Sequence, residues 1–205
     1  MSLTLLVLLL IDLQPQRQSS AELKIELVIT PPTAQLRFNQ QFPGDILDWK
    51  KIYSLPFRVT SYTKLHEFQC KVLNRCLTTN VFLHKIGIYP SPACSFCGDA
   101  DETLEHILVY RILGDQGVQI QRLSLKDLLF GMFSCDDELY VNHILLLARQ
   151  YLYSCRCNKK LPRIRIFIAK INIAYQLETI IAKSNVDRLS AHYSKWGKYV
   201  NTLSV

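Results

Sequence analysis

Cys94-Ser-Phe-Cys97-Gly-Asp-Ala-Asp-Glu102-Thr-Leu-Glu-His106 is the stretch around which the rest of the chain is organised. Two cysteines separated by two residues on a tight turn aim both sulfurs at one point. The turn chemistry is present, because Pro90 and Pro92 precede the pair and Gly98-Asp99 follow it. The histidine comes after a short acidic run, where Glu102 to Tyr110 reads as the start of a helix. Cys94, Cys97 and His106 are the soft and borderline donors that Zn²⁺ takes, and a knuckle followed by a helix end lets them share one ion. A closed structural site needs four donors, and this stretch supplies three.

On either side the pattern is helical. Asp45 opens a helix carrying Ile46, Leu47, Trp49, Ile52 and Tyr53, which Pro56 is expected to stop. Ser61 or Thr63 caps a second, with Leu65, Phe68, Val72, Leu73, Cys76 and Leu77 at helical spacing. Thr79 or Asn80 starts a short helix that ends at Gly87. Beyond the knuckle, Gly114-Asp-Gln-Gly117 reads as a turn. Ser124-x-x-Asp127 approximates a capping box for a short helix ending at Gly131. Asp136-Asp-Glu138 begins a long helix to about Tyr153, apolar around much of its girth and expected to be the central one. Pro162 precedes a helix whose stripe of Ile164, Phe167, Ile168, Ile171, Ala174, Tyr175 and Ile181 is expected to be buried. A last amphipathic helix, from about Val186 to Val200, holds Leu189, Tyr193, Trp196 and Tyr199. The fold expected is mainly α, a small irregular helical domain over residues 44–205 built around the Cys/His knuckle. Residues 1–43 form an extension, with one short strand over Ala21–Thr30 and a polar linker from Pro31-Pro32 to Phe42.

The residues around the knuckle carry a resemblance. Cys94-x2-Cys97 with Glu102-Thr-Leu-Glu-His106 resembles the zinc-binding domain at the C-terminus of non-LTR (LINE-type) retrotransposon reverse transcriptases. Trp49-Lys-Lys-Ile-Tyr53, Thr63-Lys-Leu-His-Glu-Phe68, Leu73-Asn-Arg-Cys-Leu-Thr-Thr-Asn80 and Lys85-Ile-Gly-Ile88 are similar to the segment that leads into that knuckle. Leu125-Lys-Asp-Leu-Leu-Phe-Gly131 and Leu145-Leu-Leu-Ala-Arg-Gln-Tyr151 are similar to the tail that follows it. The similarity runs from about Asp45 to about Trp196. It implies a zinc ion on Cys94, Cys97 and His106, and a role in gripping template RNA or target DNA. The family pattern continues from the histidine through four residues to a cysteine; that position here is Arg111. The family's aromatic-Trp pair after it is absent. Substitutes for the fourth donor are Cys76, His84, Glu105 or a water.

Charge points the same way. Residues 141–205 hold eleven Lys and Arg against two acids, Glu178 and Asp187. A surplus of that kind suits a polyanion, with Arg156, Lys159, Lys160, Arg163, Arg165 and Lys170 as the residues expected to meet phosphates. RNA or DNA, read with low sequence specificity, is the partner expected, with no membrane and no small-molecule substrate. Seven cysteines, an odd number, with no Asn-x-Ser/Thr sequon, suit an intracellular setting, cytoplasmic or nuclear. Leu3 to Ile11 is an apolar run of signal-peptide length without a basic start. If it did direct secretion, the reading would shift to a secreted helical protein–protein interaction or orphan domain. Catalysis is not expected. Phe133-Ser-Cys-Asp136-Asp137 has the wrong spacing for paired polymerase aspartates, and no phosphate-binding glycine loop, Gly-x-Ser-x-Gly elbow or HExxH occurs. The polymerase segments of a reverse transcriptase are also absent from this length. The expectation is a nucleic-acid-binding accessory module, a remnant of a LINE-type reverse transcriptase without polymerase activity.

Overall fold

A computed structural model describes residues 31–113, 123–133 and 137–203. The apolar run Leu3–Ile11, the strand expected over Ala21–Thr30, the turn at Gly114–Gly117 and Asp136 lie outside the described residues. The structure is mainly helical, and the helices belong to one compact unit, Pro32–Val205. Among the described residues they are α1 (Thr33–Gln41), α2 (Trp49–Val59), α3 (Thr63–Leu73), α4 (Asn80–Lys85), α5 (Leu104–Leu113), α6 (Leu125–Phe130), α7 (Glu138–Cys157), α8 (Ile164–Ala182) and α9 (Val186–Leu203). Extended pairing among them is limited to one antiparallel bridge, Ala93 with Asp101. No helix of the described residues is long and apolar enough to cross a membrane.

The core forms around α7, which packs against α2, α3, α5, α8 and α9. Its sequence is apolar on most sides, and such a helix is stable only when surrounded. One polar intrusion is Arg149, 1% exposed. Its Nη1 donates to the carbonyls of Leu128 (3.0 Å) and Leu129 (2.7 Å), and its Nε to Leu145 O (3.2 Å). The guanidinium thus closes carbonyls near the end of α6, where the helix dipole favours a cation. Burial pushes its pKa down to about 9.

Several boundaries differ from those expected, each for a local reason. The stretch expected to be linker carries α1, because Phe38 anchors it. That ring is fully buried, edge-on to Phe130 at 5.0 Å and under the Arg75 guanidinium at 4.4 Å. One aromatic anchor suffices for a helix whose other positions are mostly polar and whose Leu36 stays exposed. Helix α2 starts at Trp49, with Asp48 accepting from Lys51 N at 3.0 Å, and leaves Ile46 fully exposed. It also runs through Pro56 to Val59. Ile52, Leu55, Pro56 and Val59 all bury on one stripe, and that burial outweighs the backbone bond the proline removes.

Helix α3 ends at Leu73 instead of reaching Leu77. Arg75 takes a left-handed conformation (φ 53°), Cys76 N donates to Lys71 O (2.8 Å) and Arg75 N to Val72 O (3.0 Å). This is a Schellman stop, with arginine in the place glycine usually fills. The stripe expected to be buried on α8 is divided: Ile171 joins the core, with Phe167, Ala174 and Tyr175 half-buried against it. Ile171 and Ala182 are the buried residues of that helix, and Ile164, Ile168 and Ile181 are exposed. On α9, Trp196 is fully buried and Tyr193 is exposed, while His192 turns inward to stack on Tyr175 (5.4 Å).

Candidate metal centre and the cleft beside it

The knuckle is a short hairpin. Cys94 N donates to Ala100 O (2.7 Å), Gly98 N to Cys94 O (2.9 Å) and Glu102 N to Pro92 O (2.8 Å). Gly98 has φ 76°, the left-handed turn that sends the chain back after the second cysteine, so that Ala100 O reaches Cys94 N. Phe96 N donates to Cys94 Sγ at 3.4 Å, so backbone N–H groups point at sulfur. Thr103 opens α5, its Oγ1 accepting from His106 N at 3.0 Å. That turn carries the imidazole to the knuckle, where Nε2 lies 3.4 Å from Cys97 Sγ.

Donor atoms of Cys94, Cys97 and His106 all lie within 4.8 Å of one another, and the group can hold a metal ion. A sulfur and an imidazole nitrogen on one tetrahedral Zn²⁺ stand about 3.6 Å apart, given the usual bond lengths. The 3.4 Å separation fits that. The two thiols are prepared differently. Burial pushes Cys94 above its usual pKa, whereas N–H groups of Ala100 and Asp99 hold Cys97 below it. Cys97 is therefore the readier thiolate.

None of the side chains expected to supply a fourth donor joins this group among the described residues. Glu105 is engaged by Arg75 Nη2 at 2.8 Å. His84 Nδ1 lies 3.1 Å from Tyr89 O, and Cys76 Sγ points to Asn74 O at 3.3 Å. Arg111 lies in the last turns of α5, and its side chain is outside the described residues.

A residue outside the expected donors organises the centre. Glu102 is fully buried. Its Oε1 accepts from Asn80 N (2.9 Å) and Arg156 Nε (2.8 Å), and its Oε2 from Ser95 N (2.9 Å), inside the Cys-x2-Cys turn. Arg156 Nη2 donates to Asn80 Oδ1 (2.8 Å), and Asn80 Nδ2 to Ala93 O (2.7 Å). One carboxylate thereby ties the start of α4, the knuckle and the end of α7. Removing either partner of such a buried pair strands the other charge, at a cost of about 3–5 kcal/mol. The resemblance carried Glu102 and Glu105 in one motif and gave neither a role.

That network changes the standing of Arg156. Grouped by sequence with Lys159 and Lys160 as a phosphate contact, it is withdrawn from solvent and committed to Glu102. Lys159 and Lys160 are exposed. They follow α7 in a second Schellman turn, with Lys160 N donating to Cys155 O (2.9 Å), Lys159 N to Arg156 O (3.1 Å) and Lys159 at φ 51°. Together with Tyr89, Ser95, Phe96 and Leu161 they line a cleft of about 200 Å³ against the knuckle.

The remaining expected cations lie elsewhere. Arg163 and Arg165 are exposed at the start of α8. Lys170 is half-buried, 5.8 Å from the Tyr151 ring, and borders a different groove with Tyr62 and Leu177. The six cations expected to act together are thus divided among a buried network, a knuckle cleft and the surface of α8. No family model matches the chain, and none of the curated proteins or solved structures compared with it does.

Proposed function

We propose that the chain is a nucleic-acid-binding accessory module, the remnant of the C-terminal region of a LINE-type reverse transcriptase, acting without polymerase chemistry. In this reading Cys94, Cys97 and His106 hold Zn²⁺ as a structural ion that stiffens the knuckle, and a solvent molecule takes the fourth position. The observation that carries the reading is the cleft beside the knuckle. Two exposed lysines line it together with Tyr89 and Phe96, and cations beside aromatic residues are what a single strand uses. Backbone conformation adds weight. Lys159 occupies a left-handed position that glycine would fill without strain. A side chain kept there at a cost of about 1 kcal/mol suits a role outside folding.

Lys159→Gly separates the two roles. Folding should become more stable by up to about 1 kcal/mol in urea unfolding. Affinity for a fluorescein-labelled single-stranded oligonucleotide, read by anisotropy at low salt, should fall. A variant that is more stable and binds as tightly as the parent would remove the cleft from the reading.

A further inference from the structure

Helix α8 carries an apolar strip that faces solvent. Ile166, Ile173, Leu177 and Ile180 are 47%, 54%, 53% and 67% exposed. With Lys170 they follow one another at alternating spacings of four and three residues along α8, the repeat by which one helix seats against another. Beside the strip, Tyr62, Leu65, Gln150, Lys170, Ile173 and Leu177 line a groove of about 310 Å³, room for a large apolar side chain. A contiguous exposed patch of this kind on a globular chain marks an interaction surface.

Charge decides the occupant. Arg165 and Lys183 are exposed on one flank of the strip, and Lys170 stands half-buried within it, between Ile166 and Ile173. The one acid of α8, Glu178, is already held by Lys195 Nζ (2.7 Å) and Trp196 Nε1 (2.8 Å). The face is therefore apolar with an unbalanced basic rim. A second copy would fit it poorly, since an antiparallel pair centred on Ile173 sets Lys183 against Arg163, and a parallel pair sets each cation against itself. Phosphates gain nothing from isoleucines. We infer that α8 docks an acidic amphipathic helix of another protein, its apolar side chains at heptad spacing on Ile166, Ile173, Leu177 and Ile180, and its carboxylates on Arg165, Lys170 and Lys183. This surface is separate from the knuckle cleft, and it reassigns Arg165 and Lys170 from phosphate to protein contact.

The test uses the full chain and two labelled synthetic peptides of three heptads. Both have Leu at a and d; one has Glu at e and g, the other Lys. The Glu peptide should bind saturably and weaken as salt rises, and the Lys peptide should not bind. Ile173→Glu with Ile180→Glu should weaken the Glu peptide by at least about tenfold and leave oligonucleotide binding unchanged. Both positions are exposed, so circular dichroism should show an intact fold. Arg165→Glu with Lys170→Glu and Lys183→Glu should reverse the preference towards the Lys peptide. Absent binding, equal binding of the two peptides, or indifference to the isoleucine changes would overturn the proposal. So would a dimer in sedimentation that Ile173→Glu dissolves, since a second copy would then own the face.

Discussion

His143 is 1% exposed on the central helix, 3.7 Å from Glu178 Oε1 and 5.4 Å from the Trp196 ring. Burial, with Lys195 nearby, pushes its pKa down to about 3, against the partial opposition of Glu178. Unfolded, it would take up a proton near its ordinary value of 6.5. Between those values the unfolded chain binds more protons than the folded one, so stability falls on acidification. Glu178 acts in the same sense: burial alone would raise it, but Lys195, His143 and the hydrogen bonds from Lys195 and Trp196 hold it below the usual carboxylate range. Urea unfolding should show stability dropping from pH 6.5 towards pH 4, His143 contributing up to about 1.4 kcal/mol per pH unit. His143→Leu should flatten the curve by that amount, and an unchanged slope would show that the imidazole is not held neutral. At the metal centre the decisive residue is Arg111. Arg111→Cys puts a thiol at the position where the resemblance expects a fourth donor beside Cys94, Cys97 and His106. Competition with a chelator should show Zn²⁺ held at least about tenfold tighter. Equal affinity in parent and variant would place residue 111 away from the metal.

Among the elements, the end of α6 tolerates no side chain at its glycine. Gly131 has φ 97° and ψ 165°, a region glycine alone enters freely. A Cβ there would meet Leu55 Cδ2 at 2.3 Å and Asn142 Oδ1 at 2.7 Å. Asn142 cannot retreat without losing its bonds to Met132 N (2.7 Å) and O (2.6 Å). Gly131→Ala should cost roughly 2–4 kcal/mol. Gly87→Ala, at φ 74° with nothing within 4 Å of the added carbon, should cost about 1 kcal/mol from strain alone. Matching losses in denaturant would mean that the clash at Gly131 relaxes. The same helix end shows what a sequence discloses. The Ser124/Asp127 capping box and the glycine after Phe130 announce α6, and the structure keeps both. Gly87 likewise announces the end of α4. Helices α3 and α7 stop by the same Schellman geometry with Arg75 and Lys159 in the glycine position, and no residue type flags those ends. Helix α8 misleads in another way. Its apolar residues surround it, so the expected stripe took in Phe167, Ile171, Ala174 and Tyr175, which do meet the core, together with Ile164, Ile168 and Ile181, which do not. The three candidate metal donors, Cys94, Cys97 and His106, were legible because their spacing is local. Glu102, Asn80 and Arg156 were not, because the network joins residues up to 76 positions apart.

Taken as a whole, the molecule separates its surplus positive charge into regions with different neighbours. Lys159 and Lys160 line a cleft with two aromatic residues at the knuckle; Arg165 and Lys183 edge an apolar strip and Lys170 stands within it; Arg156 is spent inside on Glu102. Net charge alone would treat these cations as one phosphate-binding field, in which each lost lysine or arginine counts alike. Their different neighbours make them unequal, and a salt series of oligonucleotide affinity by fluorescence anisotropy tests that most directly. Lys159→Gln with Lys160→Gln should flatten the slope of log affinity against log salt by about one unit per lost contact, and Arg165→Gln with Lys170→Gln should leave it unmoved. A slope changed by the α8 pair and not by the cleft pair, or no binding of the parent at low salt, would contradict that division of the cations.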